Sequence, residues 1–351
     1  MEQILAFRLA TQGLNDRTKT PTEVAASFTI QDSPPQAALT ALNARSSEPE
    51  RLDELLEKRE LVAIPNPRTA ISILPAEDVA TYLEALRPPD ERALKAVLLN
   101  AAPGDFEVAR KHAVTAIGAA LDGHVLTRDA LHEDLRGRLP PELLPWCPSC
   151  ESHHARRRLL SVAALEGRLC IAGREGRQNT FARTDQWIAL EPAHDAQAEL
   201  VRRYLRHLGP STHSDFAGWA GIAPAHAKAL FGAVEDELVR VGKAFLLAED
   251  LPTLESPPPA RGVRLLGPGD PLLVARDKER LITDKELRKR IWRPVGSLGI
   301  VLADGVPAGT WRARKQGRKL TLETVWFGEP VDVRSEAERL AALRGVVYDA
   351  A

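Results

Sequence analysis

An amide and a carboxylate stand side by side at Gln31 and Asp32, just ahead of a Ser-Pro-Pro stop. A glutamine carbonyl can orient a water molecule, and an ionised aspartate can take that water's proton or stabilise a positive charge developing on the group it attacks. Thr29, two residues upstream, adds a hydroxyl to the constellation. The plain alternative is a helix cap and its neighbour, because Asp32 or Ser33 can accept a first-turn N–H and a proline suits the start of a helix. That helix is expected to begin near Pro34 or Pro35. Ala38, Leu39, Ala41 and Leu42 then form its buried face, while Asn43 and Arg45 look outward. Its N-terminus is also where backbone donors and any bound phosphate would point.

The elements needed to hold this pair follow a recurring order. Helical spacing covers 2–12 and 22–27, the helix after the prolines comes next, and 50–60 reads as another. Two short strands, 61–64 and 69–74, flank the turn Pro65-Asn66-Pro67. Helices followed by a strand pair make a winged helix, whose third helix usually docks on DNA. The order repeats with helices at 93–100, 106–121 (capped by Asp105), 127–136 (capped by Thr127) and 152–165, then strands at 168–172 and 179–183. A third copy takes 196–207, 214–220 and 224–238, ending in a strand region at 239–247. An extended linker, 251–261, precedes strands at 263–266, 272–274, 297–303, 309–315 and 320–327, with Asp304-Gly305 as a hairpin turn and a last helix at 335–343. The expected fold class is α+β: tandem winged-helix units followed by a β-rich C-terminal region, divided 1–90, 91–190, 191–250 and 251–351.

These residues carry a resemblance. The chain resembles the bacterial winged-helix DNA-binding-domain family that contains the DNA glycosylases AlkZ and YcaQ, in which a Gln-x-Gln-Asp or Gln-x-Asp segment precedes the same helix. Here Thr29-Ile30-Gln31-Asp32 keeps the second amide and has Thr29 in place of the first. The family's Arg-Gly-Thr-Leu-His-Leu-Val strand is matched by Arg68-Thr69-Ala70-Ile71-Ser72-Ile73-Leu74, with Arg68 kept and Ser72 in place of the histidine. Gly269-Asp270-Pro271, Arg276-Asp277 and Gly309-Thr310-Trp311 extend the likeness over nearly the whole chain. The resemblance implies monofunctional release of bulky N7- or N3-alkylated purines from duplex DNA, with Gln31 and then Asp32 as the catalytic residues and Thr29 too short to replace the missing amide. It implies self-resistance to a DNA-alkylating natural product and requires no metal or nucleotide cofactor. The alternative is a catalytically inactive winged-helix DNA-binding or regulatory protein.

The remaining features bound that reading. With 47 basic and 48 acidic residues the formal charge is −1, so a DNA role must rest on local patches. Arg45 and Arg68 near the first wing, Arg156 and Arg157 before the second, and Arg312, Arg314, Lys315, Arg318 and Lys319 around a hairpin at Gly317 are the candidates for phosphate contact. Three cysteines make no disulfide framework. Cys147 and Cys150 with His153 have metal-like spacing, but packing of a turn ahead of a basic helix start is the preferred account, and no metal is assigned. Early charges at the N-terminus and the lack of a long apolar stretch point to a soluble cytoplasmic protein with no membrane partner. A DNA role would place it at the nucleoid, and the expected state is a monomer, with no dimerisation coiled coil in view. No glycine-rich phosphate loop or nucleophile elbow is present.

Overall fold

The computed structural model describes residues 2–102 and 104–350. They gather into two interleaved compact units: Met1–Asp53, Arg203–Asp215 and Asp236–Ala351 form one, Glu54–Arg202 and Phe216–Glu235 the other. These units cut across the sequence divisions at 90, 190 and 250. The physical reason is the apolar core of the first unit, in which Leu9, Leu14 and Ala44 pack with Leu266, Leu272, Ile291, Ile300 and Leu302.

In the first unit, helices Glu2–Thr11, Pro21–Phe28 and Ala37–Arg45 accompany a five-stranded sheet. The second helix starts where expected because Thr20 caps it reciprocally with Glu23. The sheet runs Val263–Leu266, Gly299–Ala303, Val306–Gln316, Lys319–Trp326 and Val347–Tyr348, antiparallel except for the last pair. Asp304-Gly305 turns its hairpin with both residues at positive φ, 48° and 81°. Neighbouring residues feed opposite faces, as strand alternation requires. Leu266 and Ile300 join the N-terminal helix, while Leu265 and Val301 pack with Trp311, Leu320 and Leu340 of helix Arg334–Leu343. Both faces are thus covered. The segment 272–274, expected as a strand, is a turn organised by Asp270, whose backbone carbonyl accepts from Leu273 and Val274.

The buried His207 ties this unit together: its Nδ1 donates to Thr11 O at 2.9 Å, and its own carbonyl accepts from Gln12 Nε2. Burial above all, then the charge of Lys19, holds the imidazole down at about 3 from the ordinary 6.5. The folded state therefore keeps His207 neutral where the unfolded chain takes up a proton, so stability falls as pH drops below about 6.5, by roughly 1.4 kcal/mol per unit. Burial depresses His132 and His226 as well, with the same sign. Urea unfolding at pH 7.5 and 5.0 should show this loss, and His207→Asn, which keeps a donor but cannot titrate, should flatten the dependence. An unchanged slope in that variant would remove His207 from the account.

In the second unit the two expected wings pair with each other. Hairpin Leu61–Pro65/Ile71–Pro75 meets hairpin Cys170–Glu175/Gln178–Ala182 through Ala63 opposite Ile171, and Leu126–Thr127 adds the far edge. Helix Arg157–Leu165 begins later than expected, because Ser152–His153 is a short strand paired with Trp146–Cys147. Every residue from Leu159 to Leu165 is buried, so this helix is a core element rather than a free recognition helix. Among the described residues no helix is long and apolar enough to cross a membrane.

Candidate active site

The Gln31–Asp32 pair lies in the first unit between helix Pro21–Phe28 and helix Ala37–Arg45. Thr29 ends the earlier helix at φ 56°, ψ 131°, a conformation that L-residues seldom adopt and that persists only where its surroundings enforce it. Ile30 is fully buried beside it and anchors the turn. The following helix starts at Ala37, later than the prolines suggest, behind Gln36 in a left-handed conformation with no side-chain cap of its own. Asp32 supplies the missing acceptor from six residues upstream: its Oδ1 accepts the Ala38 N–H at 3.2 Å. The capping and catalytic readings of Asp32 are therefore compatible, since a carboxylate at a helix N-terminus is favoured by the dipole. Gln31 Nε2 donates to Ser33 O at 2.6 Å, which fixes the rotamer and sets the acceptor end of the amide. Both side chains are half-buried.

A second segment of the same unit braces this turn. At Gly269, φ is +89° and an added Cβ would lie 2.8 Å from Ser33 O and 3.2 Å from Gln31 Nε2, so only glycine lets the loop approach so closely. The next residue, Asp270, forms a bidentate pair with Arg45 at 2.7 and 2.8 Å, both side chains fully buried. Arg45 also donates to Ala41 O and Gln12 Oε1, and its guanidinium lies 5.5 Å from the Phe28 ring centre. The assignment of Arg45 to DNA is thus corrected: it faces the core and locks helix Ala37–Arg45 to the loop beneath Gln31. Asn43, expected outward, is buried too. A helix with alanine on most sides has no sequence signal for which face is inner.

The other sequence candidates separate into structural and exposed groups. Arg68 is half-buried, with its Cγ 2.6 Å from where a Cβ on Gly221 would lie, so its stem serves packing. Asn66 organises that turn, accepting from Arg68 and Ala70 N–H and donating to Ser72 Oγ at 3.1 Å. Ser72 is itself buried, 3.5 Å from the Tyr82 hydroxyl. Arg156 and Arg157 are exposed, whereas Arg158 donates to Pro67 O and Val97 O. Arg312 and Arg314 both pair with Glu323 across the hairpin, and Lys319 with Asp349, while Lys315 and Arg318 extend at its exposed tip. Surface pairs of this kind exchange readily with other anions. Sequence reading missed a concavity of about 290 Å³ lined by Arg290, Arg293, Arg312, Trp326 and Phe327, whose members are scattered over three elements. Trp311 is buried with its indole N–H on Leu266 O.

Of the metal-like residues, Cys147 and Cys150 converge with His154, not with His153. His153 is occupied elsewhere, its Nδ1 2.8 Å from Leu144 O and its ring edge-on to Trp146. The Cys147 thiol is pulled down to about 6, by the Ser149 hydroxyl first and then by His154 and Cys150.

Residues 25–343 of this α+β chain match the DNA glycosylase AlkZ-like family, and the chain belongs to it. Among individual proteins, it is similar to the interstrand DNA cross-link repair glycosylase of Streptomyces sahachiroi, 28% identical over 245 residues. That region is 66% of this chain and 65% of the relative, so the alignment spans just under two thirds of the curated protein. The solved structure of Streptomyces sahachiroi DNA glycosylase AlkZ shares the fold, with a TM-score of 0.76 at 22% identity over 100% of this chain and 99% of that one.

Proposed function

We propose that this protein is a monofunctional DNA glycosylase that hydrolyses the N-glycosidic bond of bulky N7- or N3-alkylated purines in duplex DNA. The observation that carries the reading is the fixed Gln31–Asp32 turn inside the span matched by the family. Alkylation at N7 or N3 makes the base cationic and a good leaving group, so little acid help is needed. Gln31 orients the water. The water oxygen bonds to C1′ as the C1′–N9 bond breaks and the electron pair leaves with the base; Asp32 takes the water's proton, or stabilises the sugar cation while that proton passes to solvent. The test is single-turnover release of base from a duplex carrying one N7-alkylguanine. Release above the spontaneous rate supports the reading.

Two observations favour a second reading, a DNA-binding relative without catalysis: Thr29 stands where the family has an amide, and Ser72 stands for its histidine and is sealed by Asn66. Salt-sensitive duplex binding with no base release would establish it. On either reading, Arg156, Arg157, Lys315 and Arg318 are the proposed phosphate contacts. Replacing both Lys315 and Arg318 by alanine is expected to weaken binding without changing lesion preference and to flatten log K against log[salt] by up to about 1.8 units, near 0.9 per phosphate. A preserved slope would clear the hairpin tip of that role.

A further inference from the structure

The stretch 146–154 lies in the second unit and plays no part in the catalytic proposal. Its two short strands, Trp146–Cys147 and Ser152–His153, form an antiparallel hairpin, and the Cys150 N–H turns back to Cys147 O at 3.2 Å. This turn presents both thiols to one side, where the Cys147 and Cys150 sulfurs and a ring nitrogen of His154 lie within 4.8 Å of one another. Neither cysteine is in a disulfide. The His154 ring is set as a metal-binding imidazole usually is: Nδ1 lies 2.9 Å from Ala155 O, so it carries the proton and donates, and Nε2 is left as the lone-pair end. That Nε2 is buried and makes no hydrogen bond of ordinary geometry, although His154 interacts with the Cys147 thiol. Behind it, the His132 ring of helix Arg128–Arg136 has its centre 4.7 Å from that of His154, and its Nδ1 is buried without a hydrogen bond. Two buried ring nitrogens without ordinary hydrogen bonds are costly unless something satisfies them.

We propose that Cys147, Cys150 and His154 bind a zinc ion, with His132 completing a tetrahedral Cys2His2 set. Ligand atoms around tetrahedral zinc stand about 3.4–3.8 Å apart, and two imidazoles on one ion have ring centres about 5 Å apart. For Cys147, Cys150 and His154 the observed separations therefore need only small side-chain rotations, and His132 must turn toward them to complete the set. Two thiolates and two imidazoles suit zinc over the hard cations, which take oxygen. The ion has a structural role: it closes the loop between helices Arg128–Arg136 and Arg157–Leu165, where Arg136 already donates to His153 O at 3.1 Å and Ser152 Oγ at 2.6 Å.

The full-length, untagged protein, reduced and incubated with one equivalent of zinc chloride, is dialysed and its metal measured by mass spectrometry. One zinc per chain is expected, with Cys150→Ser and His154→Ala empty, His153→Ala full and His132→Ala at least tenfold weaker in affinity. Because a variant can lose metal by unfolding, wild-type protein loaded with Co2+ provides an independent readout: the proposal requires intense tetrahedral ligand-field bands and thiolate-to-metal charge transfer. Less than about a tenth of an equivalent of zinc in the reduced wild type overturns the site, as does an octahedral cobalt spectrum or a Cys147–Cys150 disulfide in place of bound metal. Equal occupancy in His153→Ala and His154→Ala overturns the assignment of the third ligand, and unchanged affinity in His132→Ala overturns that of the fourth.

Discussion

Asp32→Ala and Gln31→Ala are each expected to lower single-turnover base release by at least tenfold, and by as much as about a thousandfold for Asp32 if it serves as the general base. The two losses differ in kind. Gln31→Ala removes the group proposed to orient water, together with the hydrogen bond from the Gln31 amide to Ser33 O. Asp32→Ala removes the charge and the acceptor for the Ala38 N–H. Asp32→Asn separates the two roles, since an amide oxygen can still cap the helix but cannot take a proton or stabilise a cation. We expect Asp32→Asn to keep the wild-type melting temperature within a few degrees and to lose activity nearly as far as Asp32→Ala. Activity close to wild type in Asp32→Asn would leave Asp32 as a cap alone.

The largest effect on folding falls on Arg45 and Asp270. Both are completely buried and joined by two hydrogen bonds, so removing one partner strands a charge in the core. Arg45→Ala or Asp270→Ala is expected to cost about 3–5 kcal/mol in urea or guanidinium unfolding. The double replacement Arg45→Met with Asp270→Leu should cost less than the two single changes added together, because no charge is left unpaired. Asp270→Ala carries a second consequence. Its carboxylate also accepts the Leu272 N–H, and its backbone neighbour Gly269 touches the Gln31–Ser33 turn, so the loop that braces the candidate site loosens with it. Activity should fall further than the unfolded fraction explains. If each single variant loses under about 1 kcal/mol, the pair is not the lock between helix and loop.

Sequence alone determined the features governed by local chemistry. The Gln31–Asp32 pair was visible because adjacent polar groups before a proline stop are unusual, and the Asp105 and Thr127 caps because a side-chain oxygen at that spacing satisfies first-turn donors. The Asp304-Gly305 turn was readable from its need for positive φ, and the family likeness from the residues at 29–32 and 68–74. What only the tertiary structure decided were the long-range partners. Arg45 finds Asp270 across 225 residues, His154 rather than His153 turns toward the cysteines, and the two hairpins of the second unit merge at Ala63 and Ile171. An arginine near a helix end, or either of two adjacent histidines, carries the same local signal whether it faces water or core. The choice is made by whether a partner is at hand for the buried group, as Asp270 is for Arg45, and that partner can lie far away in the chain.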